Sequence, residues 1–131
     1  MHQEPCSAFE LPTMEFDDSI HPRAFFDRAR ERLVEDWADL DRHLVAWLIR
    51  EGHLTRDKLP IHNHAKRGKY YINLKPEHSA PSFDGDWHQV REFFVDTKYN
   101  ASAHVRNITA AFEHLGLKDP HCYFAFRYSG R

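Results

Sequence analysis

Glycine is scarce in this chain, five in 131 residues, and the scarcity removes whole classes of function. A phosphate-cradling loop, a dinucleotide fingerprint and a Gly-x-Ser-x-Gly elbow all need clustered glycines, and none of these motifs occurs. Cysteine is scarcer still. Cys6 and Cys122 cannot make a disulfide framework, and there is no Cys-x-x-Cys pair. The longest apolar run, Leu44-Val45-Ala46-Trp47-Leu48-Ile49, is far short of the ~20 residues that span a bilayer. The opening Met1-His2-Gln3-Glu4-Pro5 has neither the basic start nor the apolar stretch of a secretory signal. The expectations are a cytoplasmic location and no membrane partner.

What is present is a change of character at Gly52. Residues 1–52 hold 6 Lys/Arg against 12 Asp/Glu, and residues 53–131 hold 12 against 8, so −6 and +4 make the overall −2. The second part also carries 12 of the 18 aromatic residues and 8 of the 11 histidines. Such asymmetry points to an anionic partner for the basic part, or to two parts that face each other. The histidines should swing net charge from −2 toward positive as pH falls below neutral, making solubility and self-association pH-dependent.

Hydrophobic residues at 41% and charged residues at 29% suit one globular domain. Residues 1–20 show no period and read as an acidic, poorly ordered tail, with residues 21–131 as a single α+β domain. From Pro22 the apolar positions Phe26, Ala29, Leu33, Trp37, Leu40, Leu44 and Trp47 step by three and four, which predicts a long amphipathic helix ending at Gly52. Over 22–51 it would measure about 45 Å. It should therefore overhang, pair with a second copy, or bend near Asp36–Asp41. Strands are predicted over Lys69–Lys75, Val90–Thr97 and His121–Tyr128, with a second helix after Asn100 that closes at Gly116. The predicted order is α-β-β-α-β: a small mixed sheet with a parallel crossover and the helices packed mainly on one face.

The string Glu92-Phe93-Phe94-Val95-Asp96-Thr97-Lys98 is the most suggestive chemically. Side chains two apart share a face of a strand, so Asp96 and Lys98 are predicted together, with Asp84 or Asp86 upstream. Two carboxylates can hold Mg²⁺, and a lysine can steady charge developing on a phosphodiester. The span Asp84–Lys98 resembles the Asp…(Asp/Glu)-x-Lys pattern of the restriction-endonuclease-like nuclease superfamily, whose αβββαβ core is similar to the predicted order. The resemblance implies a nuclease dependent on Mg²⁺ or Mn²⁺; outside it, no cofactor is predicted.

Other constellations are less specific. His62 and His64 share a face of an extended segment and are candidate metal ligands, with His78, His88 or Asp84 to complete a site. Lys66, Arg67, Lys69, Tyr71, Lys75, Lys98, Tyr99, Arg106, Arg127 and Tyr128 form a basic-aromatic set suited to phosphates and unpaired bases. Trp37, Leu40, Leu44 and Trp47 are candidates for an interaction seam on the long helix. No spacing assembles a clear catalytic set. The sequence therefore reads first as a non-enzymatic interaction or regulatory module, of adaptor or immunity type, that binds a protein or a second copy through residues 22–51. A nuclease-like domain, or a non-catalytic nucleic-acid-binding module, is the alternative.

Overall fold

The computed structural model describes residues 5–8, 10–11, 16–27, 30–65, 67–118 and 122–128. It is a mixed α+β fold, and its order corrects the prediction: strands come first. β1 (Ile20–Asp27) and β2 (Arg30–Leu33) precede α1 (Trp37–Arg50). A single 3-10 turn (Arg56–Lys58) follows, then β3 (Ile61–His62), β4 (Tyr70–Asn73), β5 (Trp87–Val90), β6 (Phe93–Asp96), α2 (Ala101–His114) and β7 (Cys122–Tyr128). There are two sheets, ordered β2-β1-β7 and β3-β4-β6-β5, and every pairing is antiparallel.

The predicted long helix is thus helical only over its second half, and its first half holds β1 and β2. Phe26 and Leu33 fit a helical period, but Leu33 pairs with Ala24 in a hairpin and β1 also finds a partner far along the chain. Phe25 and Phe26 stand opposite Phe124 and Tyr123 of β7, and Phe25 is wholly buried. β1 lies between two strands, where a proline cannot complete the ladder. Accordingly, the register shifts between Pro22 and Ala24. Because β7 pairs with β1, it does not return to the sheet of β6. No parallel crossover forms among the described strands.

The bend predicted near Asp36–Asp41 is instead the start of α1. Asp36 has extended backbone and its side chain accepts the Asp39 N–H at 2.8 Å, an N-cap that satisfies one of the helix's free donors. Both helices stop as the sequence predicts. Gly52 and Gly116 take positive φ (79° and 70°), and the residue after each donates back to the last turn: His53 N–H to Leu48 O at 2.9 Å, Leu117 N–H to Phe112 O at 3.0 Å. The second predicted strand is really a hairpin, β5–β6, turned at Arg91 and Glu92.

α1 packs on β1 of one sheet and on β5 and β6 of the other, so its apolar face is the shared core. Leu40 and Leu44 are fully buried, and Trp47 lies 6.2 Å from Phe25 and 6.3 Å from Phe112 between ring centroids. Trp37 is half-buried against Phe16, Phe126 and His104. The four residues predicted as an interaction seam therefore serve the chain's own interior. Part of the predicted tail also packs inward. Cys6 bridges Phe124 by two backbone hydrogen bonds, and Ala8 and Leu11 are buried.

Candidate functional site

Two buried carboxylates organise the space between α1, α2 and the four-stranded sheet. Asp41, on α1, is fully buried. Its Oδ1 accepts the Tyr71 hydroxyl at 2.6 Å and its Oδ2 meets His104 Nε2 at 2.8 Å. His104 Nδ1 faces the Asn100 carbonyl at 3.3 Å, so both ring nitrogens look at acceptors, the arrangement that suits an imidazolium. Trp37 stacks on the ring at 5.0 Å and Tyr99 meets it edge-on at 5.6 Å. Burial works to lower the His104 pKa, but the Asp41 carboxylate and the hydrogen bonds around the ring outweigh it and raise it. Burial first, then Asp41, holds the Tyr71 hydroxyl protonated far above the ordinary tyrosine range.

Asp96 closes β6 and is also fully buried. Its Oδ1 accepts the backbone N–H groups of Asp86 (2.9 Å) and Lys98 (3.0 Å). Its Oδ2 meets His78 Nε2 at 2.9 Å and the Tyr99 hydroxyl at 3.2 Å. Tyr70 N–H donates to His78 Nδ1 at 2.8 Å, which puts the ring hydrogen on Nε2. Tyr99 links the two clusters, its hydroxyl on Asp96 and its ring against His104. Gly85 lies over the second cluster: a Cβ there would sit 2.7 Å from Trp87 Nε1 and 3.2 Å from Asp96 Oδ2.

The predicted Asp-x-Lys set is split by this arrangement. Lys98 Nζ reaches Asp84 Oδ2 at 3.4 Å, both side chains being mostly exposed, and Asp86 lies 3.6 Å from His88. Asp96 faces inward, with two hydrogen bonds on each oxygen. His62 and His64 are not joined by a third ligand. His62 packs on Tyr70, His78 is held by Asp96, and His88 Nδ1 lies 2.9 Å from an Arg42 nitrogen. Among the described residues no group of three His, Cys, Asp or Glu could hold a metal ion.

The basic-aromatic set divides as well. Lys66 and the side chain of Tyr128 lie outside the described residues. Tyr71 is buried in the Asp41 cluster, so it is not a stacking platform. Lys75 is exposed in the loop after β4, and Arg127 belongs to the other sheet. Arg67, Lys69, Tyr99 and Arg106 gather around the 62–69 loop and α2. Lys69 Nζ lies 5.2 Å above the Tyr99 ring, and Asn107 Oδ1 accepts the His64 N–H at 2.9 Å, which ties the loop to α2. Two shallow hollows share His64. One, of about 290 Å³, is lined by His62, Asn63 and Arg67, and the other, of about 260 Å³, by Arg106, Thr109 and Glu113. Burial, and after it the nearby Arg106 charge, lowers the His64 pKa.

Sequence reasoning named Asp96 and His78 for metal chemistry rather than for this buried cluster, and missed Asp41 and His104. Asp41, His104 and His78 carry no motif, and backbone donors such as those of Asp86 and Lys98 leave no trace in side-chain patterns. Phe83 and Trp87 belong to no motif either and were not singled out. Compared with known proteins, the chain matches no family model, no curated protein and no solved structure.

Proposed function

We propose that this protein is a non-enzymatic nucleic-acid-binding module that engages the phosphate backbone with the face made by the 62–69 loop and α2. One observation carries the reading: Arg67 and Arg106 flank the His64 hollows and make no ion pair or hydrogen bond among the described residues. Arg23, Arg32, Arg42, Arg50 and Arg56 each lie within 4 Å of a carboxylate, while Arg30, Arg91 and Arg127 also lack one among the described residues but line neither hollow. An arginine left without a counterion beside a concave surface is suited to a phosphate from outside. The non-enzymatic part of the reading is supported by the saturation of the buried acid–base groups, because Asp41, Asp96, His78 and His104 direct their polar atoms at internal partners.

The test is binding of a fluorescent single-stranded oligonucleotide by anisotropy at several salt concentrations. Affinity should fall steeply from low to physiological salt with no cleavage product. Replacing Arg67 and Arg106 together by Ala should reduce the log–log salt slope by about 1.4 on a single strand. No binding, or binding indifferent to salt, removes the proposal. Cleavage that stops in Asp84→Asn or Asp86→Asn would replace it with the nuclease reading.

A further inference from the structure

Beside the His64 hollows lies a more enclosed cleft of about 350 Å³, within the range of ligand sites. Phe83 and Trp87 line it, Pro76 and Pro81 add apolar rim, and the His78 ring packs near both aromatic rings, 6.1 and 4.7 Å from their centroids. The backbone after Arg67 ties its hollow to the lining of this cleft. Gly68, next to Arg67, accepts the Ser79 N–H at 2.9 Å, and a Cβ on Gly68 would lie 3.7 Å from the Phe83 ring. Arg67, unpaired among the described residues, therefore lies one residue from the backbone that holds the aromatic cleft.

We infer that this cleft receives one unstacked base of a single-stranded nucleic acid whose phosphates rest on Arg67 and Arg106, an inference that depends on the nucleic-acid reading of the neighbouring face. Three features select a base. Aromatic walls offer π-faces, on which any base can stack. His78 has both ring nitrogens engaged, by the Tyr70 N–H and by Asp96, so it offers an incoming group no free donor. Glu77, exposed on the cleft lining, repels a phosphate from the interior and leaves it outside with Arg67. A duplex keeps its bases stacked and paired and has none to place there, so single strands should be preferred.

The experiment compares a labelled single-stranded oligonucleotide with its duplex on the full chain, in wild type, Phe83→Ala, Trp87→Leu and the Arg67→Ala/Arg106→Ala double variant. Thermal unfolding of each variant checks that it is folded. The inference expects tighter binding of the single strand. It also expects a loss of about tenfold in Phe83→Ala and in Trp87→Leu, with the salt slope unchanged. Equal affinity for both forms, with either folded cleft variant binding as wild type and the arginine variant binding weakly, overturns the base pocket and leaves the backbone-binding proposal standing. No binding of either form by wild type overturns both.

Discussion

At the residue scale the chain invests its charges unusually, burying two aspartates and two histidines completely enough that each pair must be self-sufficient. Removing one member of a buried pair leaves the other without compensation, at about 3–5 kcal/mol. Asp41→Ala, which strands both His104 and Tyr71, should lose that much in urea denaturation. His104 also gives a signed pH dependence. Its pKa is raised in the folded state, so between the ordinary value near 6.5 and the raised one the folded protein binds more proton than the unfolded chain. The extra stability is complete below about pH 6.5 and is lost as pH climbs through the folded value. Urea midpoints from pH 6 to 9 should decline in wild type, and this component should vanish in His104→Gln. The cysteines make a simpler case. Burial, then Glu10, pushes the Cys6 thiol up to about 11, and burial, then Asp27, pushes Cys122 up to about 12. Neither should react with a thiol reagent at pH 8 unless the protein is unfolded; rapid labelling of the native protein would contradict that packing.

At the element scale, the parts legible in the sequence are those fixed by neighbours a few residues away. Helix α2, its Asn100 cap and the glycine stops of both helices follow from local chemistry. Asp36→Ala and Asn100→Ala should each cost about 1 kcal/mol by urea denaturation. The parts that were not legible depend on distant partners. Phe26 and Leu33 obey a helical step by coincidence, and it is the pairing of β1 with β2 and with the distant β7 that makes this stretch a sheet. The site shows the same division. Asp96 and Lys98 are visible as a motif, whereas the turn that brings two backbone donors and His78 onto Asp96 is not. Arg91 carries positive φ (56°) at the β5–β6 turn, which strains a side-chain-bearing residue. Arg91→Gly should raise stability by up to about 1 kcal/mol, the relief of strain being partly offset by a freer unfolded chain.

At the scale of the whole molecule, α1 is the shared wall of both sheets, and the Asp41 cluster joins α1, β4 and α2. The two sheets should therefore melt together: urea transitions followed by tryptophan emission and by circular dichroism should coincide, and Leu44→Ala should shift both by about 2–5 kcal/mol. Separated transitions would mean that the sheets are independent. The pairing of β1 with β7 has one more consequence, which concerns time. β1 is made early and its aromatic partner strand late, with most of the described residues between them. While the chain grows, Phe25 and Phe26 wait with one strand edge open, and contacts of such long separation form slowly. A growing or shortened chain that lacks β7 offers that edge to its neighbours, and there self-association would begin.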